Sequence, residues 1–172
     1  MNKRLYHLHN SFNEHDEYTT NINKIVMIYV DEMAQCSENN ISLHTDEEHL
    51  RYAEKWLEEI MILCGAYNRG ELDIDKIIEK LNKEHYWLID SEVVEPIFEN
   101  HLVTIYDTKN NIGNYAIENK GNKAINMYFN DLDDYIVVPK NNVLRLNTNR
   151  RYSKKIVESI VNNDYTYNFV YE

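Results

Sequence analysis

Between residues 20 and 36 the apolar side chains Ile22, Ile25, Val26, Tyr29 and Met33 recur every three or four positions, which predicts a helix. Ser37-Glu38-Asn39-Asn40 ends it. Thr45-Asp46-Glu47-Glu48 is a capping box, and its carboxylates suit the positive end of a helix dipole. In the helix that follows, Leu50, Ala53, Leu57, Ile60, Met61 and Cys64 form the expected buried stripe. Arg51, Glu54, Lys55, Glu58 and Glu59 form its outer face, with Gly65 as the expected stop. Asp73 caps a third helix whose inner face is Ile74, Ile77, Ile78 and Leu81, with Leu72 and Ile77 placed as a hydrophobic staple. Tyr86-Trp87-Leu88-Ile89 is an apolar packing segment, and Pro96 restricts Glu92–Asn100 to a short turn or helix.

From His101 the period falls to two. Leu102–Asp107, Asn114–Glu118, Lys123–Phe129 and Tyr135–Val138 read as strands, with turn residues at Thr108–Asn111 and Asn119–Asn122. Tyr152–Val161 reads as a helix with Ile156 and Ile160 inward, and the alternating Tyr165, Tyr167, Phe169 and Tyr171 close the chain as a strand. At the N-terminus a short strand around Arg4–Leu8 is followed by a loop. The expected class is α+β: an N-terminal helical part of about three helices, then an antiparallel β-meander with one C-terminal helix and a final strand. Residues 1–95 would be the acidic, mainly helical part and 96–172 the sheet plus helix, with a single compact domain as the alternative.

Charge sharpens this division. The chain of 172 residues has a net charge of −11. Residues 1–100 hold 21 acidic and 9 basic side chains, whereas residues 101–172 hold 8 and 9. Lys140, Arg145, Arg150, Arg151, Lys154 and Lys155 run without an acid between Asp134 and Glu158. A bulk nucleic-acid binder needs a positive contact face, so the acidic half argues against one. It favours steering toward a basic partner. Twenty-four Asn, 18 Ile and 14 Tyr against 5 Ala point to an AT-rich gene, of the kind found in low-GC bacteria and their phages. Met1–Asn10 holds no signal-peptide-like apolar stretch, and the longest apolar run, Ile60–Cys64, is too short to span a membrane. Two cysteines, Cys36 and Cys64, do not make a disulfide scaffold, so the expected setting is a reducing cytoplasm.

Candidate chemistry is sparse. His7, His9 and His15 with Asp16 are the best set of potential metal ligands, because His-x-His on a strand points both rings to one side. Surface histidines explain them more simply. Asp131, Asp133 and Asp134 lack the spacing of a calcium loop and read as a charged turn. Neither cysteine has a nucleophile signature, and four glycines leave little material for a phosphate-cradling loop. No enzyme activity, metal or cofactor is therefore expected. Arg145, Arg150, Arg151, Tyr152, Lys154 and Lys155 form a basic-aromatic segment that suits nucleic-acid contact, or pairing with the acidic half.

The expected function is inhibition of a nucleic-acid-processing enzyme by protein–protein binding, with the chain imitating nucleic acid in a basic groove. Glu14, Asp16, Glu17, Glu47, Glu48, Glu54, Glu58 and Glu59 are the expected partner-binding carboxylates. Interface-prone tyrosines accompany them. In general character this resembles phage-encoded anti-restriction and anti-CRISPR proteins, although no motif assigns a family. The alternatives are an immunity protein or antitoxin against a basic toxin, and a nucleic-acid-binding regulator using Lys140–Lys155.

Overall fold

The computed structural model describes residues 3–43, 47–108 and 115–170, with side chains at 37–43, 48–50, 52 and 53 left out. It divides into two compact units: residues 21–88, and residues 1–20 together with 89–172. The first is helical. In α1 (Ile22–Leu43), Ile25, Tyr29 and Met33 are buried at the spacing expected from the sequence. α2 (Glu47–Asn68) runs through Gly65. It stops at Gly70, where φ is +69°, and the amides of Gly70 and Glu71 donate to the carbonyls of Tyr67 (3.1 Å) and Ala66 (2.9 Å). A positive φ is what glycine supplies at a helix end, so the stop lies five residues later than expected. α3 (Ile74–Glu84) is capped by the Asp73 carboxylate, which accepts from the Lys76 amide at 3.3 Å. The Thr45 capping box lies outside the described residues.

The second unit contradicts the expected order of a helical part followed by a meander. The chain begins with two strands, β1 (Lys3–Asn10) and β2 (His15–Thr19), paired antiparallel around a turn in which Glu14 has φ +55°. The segment read as a loop is therefore the second arm of a hairpin. After the helices comes β3 (Trp87–Glu99), a 13-residue strand where a short turn or helix was expected. Pro96 is accommodated there by a register shift between Pro96 and Phe98 against β4 (Val103–Asp107).

β5 (Tyr115–Asn119) pairs β4 on one side and β8 (Val143–Arg145) on the other. The order β2-β1-β3-β4-β5-β8 makes a six-stranded antiparallel sheet that nearly closes into a barrel. β6 (Ala124–Phe129), β7 (Asp134–Val138) and β9 (Thr166–Val170) form a separate sheet, β7-β6-β9. The strands expected from alternation thus exist, but they divide between two sheets instead of following one another in one. Hydrophobic period fixes which face a residue takes and is silent about its partner strand.

One core lies between the barrel wall and the small sheet: Val103, Ile105 and Ile117 against Ile125, Met127, Phe129 and Val138. α4 (Arg150–Val161) closes it with Ile156, Val157 and Ile160. Buried Asn119 holds the junction. Its amide donates to the carbonyls of Lys123 (2.7 Å) and Val138 (3.3 Å), and its oxygen accepts from the Gly121 amide (2.8 Å). Among the described residues no helix is long and apolar enough to cross a membrane. Replacing Asn119 with Ala removes three hydrogen bonds to backbone, that to Val138 buried, and urea denaturation is expected to show a loss of about 1–3 kcal/mol.

Candidate functional site

Leu5, Val94, Tyr106, Ala116 and Val143 form a single cluster, with Tyr18 packed against it. They come one from each of six strands, which only an enclosed barrel interior brings together. Tyr106 lies opposite Ala116 in the β4–β5 register, so a large side chain meets a small one across the narrow lumen. The interior also holds charge. Glu118 is 15% exposed, and its carboxylate accepts from the Tyr106 hydroxyl (3.1 Å), the Lys3 ammonium (3.3 Å) and the Thr20 hydroxyl. Burial, reinforced by the Glu118 charge, holds the Tyr106 phenol far above its ordinary value.

Around His7 the same face becomes a polar cluster. His7 lies opposite Tyr18 and His9 opposite Asp16 in the hairpin register, so the four share one face. The His7 ring stacks on Tyr18 at 4.7 Å between centroids. Nε2 of His7 (2.7 Å) and Nδ1 of His9 (3.0 Å) both meet Oδ1 of Asp16. The remaining ring nitrogens face carboxylates as well, His7 Nδ1 at 3.4 Å from Asp90 and His9 Nε2 at 3.6 Å from Glu14. The His7 hydrogen bond has the largest effect and, with smaller help from His9, holds the Asp16 carboxyl below its ordinary value against desolvation, which ranks second. Arg145 reaches in from β8 and donates to the Tyr18 hydroxyl at 2.9 Å. Burial pushes the neighbouring Glu92 carboxyl up, while Arg145 works the other way.

The His-x-His expectation therefore holds for side, but His15 sits on the opposite face of the hairpin, near Glu17. Every nitrogen of the His7–His9 pair is directed at a carboxylate. Among the described residues no group of three His, Cys, Asp or Glu side chains is arranged to hold a metal ion. The cluster ties β1, β2, β3 and β8 together.

The expected partner-binding carboxylates fall into two places. On the barrel, Asp16 is engaged as above, Glu17 accepts from Asn142 at 2.7 Å, and Glu14 projects at the turn, 79% exposed. On α2, Glu47 pairs with Arg51 at 3.8 Å, Glu54 and Glu58 are exposed, and Glu59 lies 3.9 Å from Lys80. The Glu48 side chain lies outside the described ones. The basic-aromatic segment divides too. Arg145 belongs to the barrel, Arg150 pairs with Asp107 (3.2 Å) over the Tyr115 ring, and the Tyr152 hydroxyl donates to Asp134 at 2.6 Å. Arg151, Lys154 and Lys155 are exposed on α4.

The stripe expected to be buried on α2 is largely outside. Leu57 is 45% exposed and Met61 74%, with Ile62 at 63%, and Cys64 is exposed as well. Leu63 is the buried residue, flanked at helical spacing by half-buried Trp56 and Ile60. The sequence carries both stripes, Trp56-Ile60-Leu63 and Leu57-Met61-Cys64, rotated by about 100°. The Trp56 stripe, which packs, was legible in that spacing. The other lies in solvent beside Glu54 and Glu58. Beside it, Val26, Met27, Val30, Leu63, Cys64 and Tyr67 line an apolar groove between α1 and α2.

Comparison with protein-family models, curated proteins and solved structures finds no match to this chain. Asp16 contributes stability that is full above about pH 5, because its folded-state value is depressed, and this is lost as the pH falls through that value, below about pH 4. In urea denaturation the gap between wild type and Asp16→Asn is expected to close over that interval.

Proposed function

We propose that the protein acts by binding a basic protein partner through α2, and that the partner is a nucleic-acid-processing enzyme whose groove it occupies. The observation that carries this reading is the outer face of α2, where Leu57, Met61 and Ile62 stand in water beside exposed Glu54 and Glu58. An apolar strip on a surface helix marks an interaction site when nothing in its own chain covers it. Large apolar residues inside a charged rim are the arrangement in which a few side chains supply most of the binding energy.

Charge complementarity selects the partner. The helical unit, residues 21–88, holds fourteen carboxylates against seven Lys and Arg, and so accounts for −7 of the net −11. A basic surface bearing apolar side chains would be drawn in by the field and held by Met61 and Leu57. A groove that normally holds nucleic acid has that sign of charge. The barrel carboxylates Asp16 and Glu17 are hydrogen-bonded within their own unit, whereas Glu54 and Glu58 on α2 stand exposed.

The two contributions separate kinetically. Reversing Glu54, Glu58 and Glu59 to Lys is expected to slow association at low salt by at least tenfold with little change in dissociation. Met61→Ala is expected to speed dissociation instead. The partner is found by affinity capture with the tagged protein from a low-GC bacterial lysate, with and without excess competitor DNA. Stoichiometric capture of a nucleic-acid-processing enzyme, displaced by DNA and lost with the triple reversal, supports the reading. Capture of a toxin indifferent to DNA, or equal capture by the triple variant, overturns it.

A further inference from the structure

β9 ends the order β7-β6-β9, and its inner side is fully used by β6 over five residue pairs, from Ala124↔Val170 to Tyr128↔Thr166, without a register shift. All five residues of β9 are exposed, including Tyr167 at 43%, Phe169 at 38% and Val170 at 39%. Proteins commonly protect such an edge with lysine, proline, a bulge or an inward charge. Thr166-Tyr167-Asn168-Phe169-Val170 has none of these, and is a neutral strip in a chain of charge −11.

We propose that a second copy of this chain adds its own β9 to this edge, antiparallel about a two-fold axis at Asn168, joining two three-stranded sheets into one of six strands. The strand is complementary to itself in that register. Tyr167 meets Phe169 of the second copy and Phe169 meets its Tyr167, Thr166 meets its Val170, and the two Asn168 amides meet on the axis. Aromatic–aromatic, β-branched and amide pairs are each favourable across strands. Either hydrogen-bonding phase of an antiparallel ladder admits the axis, because a two-fold passes through both kinds of residue pair.

The aromatic residues are already aligned for it. Tyr165, Tyr167 and Phe169 form a ladder on one face of the sheet, with centroids 6.2 and 5.9 Å apart, and the second copy's ladder continues it. The missing charge selects the occupant. Between two molecules of charge −11, a strip without carboxylates is where close approach meets least repulsion. Five residues per strand bury less than a standard-size interface, so the association is micromolar rather than nanomolar. The proposed pairing does not rest on partner binding by α2.

Sedimentation velocity on the full chain, from about 5 to 500 μM, tests the assignment. Wild type is expected to shift from monomer toward dimer across this range. Asn168→Lys sets two ammonium groups against each other on the axis, and Asn168→Asp two carboxylates; each is expected to stay monomeric while melting like wild type. An equimolar mixture of the two variants places Lys opposite Asp and is expected to regain the dimer. Thr166→Lys, which meets Val170 of the second copy, gives a second route to the monomer should position 168 disturb folding. A wild type monomeric at all concentrations overturns the proposal. So does a dimer untouched by both lysine variants, or a Lys/Asp mixture that stays monomeric.

Discussion

Six strands make a narrow barrel, and here the two end strands, β2 and β8, meet through side chains rather than through a backbone ladder. Asn142 bridges to Glu17 and Arg145 to Tyr18. Those bridges require polar residues on both end strands, and polar residues turned inward require partners of their own. Tyr18 is consequently shared between the Arg145 hydrogen bond and the His7 stack, and Asp16 between two imidazoles. Glu118, Tyr106, Thr20 and Lys3 repeat the logic elsewhere in the lumen. The His7–His9–Asp16 cluster thus joins strands on both sides of the β2–β8 seam.

The helical unit meets the opposite difficulty. Three helices over residues 21–88 are a small body, and a small body hides a limited fraction of its apolar surface. α2 carries apolar residues on two sides and packs with one. Trp56, Ile60 and Leu63 take the inner positions, so the Leu57–Met61 side is left with the carboxylates. Lys80 illustrates how locally the acids are compensated: it reaches Glu59 at 3.9 Å and the Tyr29 hydroxyl at 3.5 Å, while Glu54 and Glu58 remain exposed.

Local signals were legible in the sequence wherever local chemistry decides the outcome. The Asp73 cap, the inner face of α1, the strands after His101 and the inward Ile156 and Ile160 all follow from neighbours a few residues apart. Three elements were missed: β2 and β3, whose signals were atypical, and β8, which is three residues long. The β1–β2 turn, Ser11 to Glu14, contains no glycine and uses Glu14 at positive φ. β3 contains a proline, which a bulge accommodates. Strand partners were not legible at all, since β1 beside β3 and β5 beside β8 join segments far apart in the chain. On α2 the expected stripe included Leu57, Met61 and Cys64, and the packed side of Trp56 and Leu63 was missed, because which side packs depends on α1 and α3. The candidate site was partly legible: the shared side of His7 and His9 follows from strand alternation, whereas their capture by Asp16, Asp90 and Glu14 depends on the hairpin and on β3.

The position of the helical unit also sets a timetable for folding. It interrupts the barrel between β2 and β3, leaving the sheet at Thr20 and returning at Ile89. As the chain leaves the ribosome, the first hairpin, ending at Thr19, waits for 67 residues before its neighbour β3 begins at Trp87, and for Arg145 before the ring can close. The helices, whose contacts are local, face no such delay. A folded helical unit holds its two ends at a fixed separation, so the long loop that β3 must close behaves as a short one, and the entropy of bringing β1 and β3 together falls accordingly.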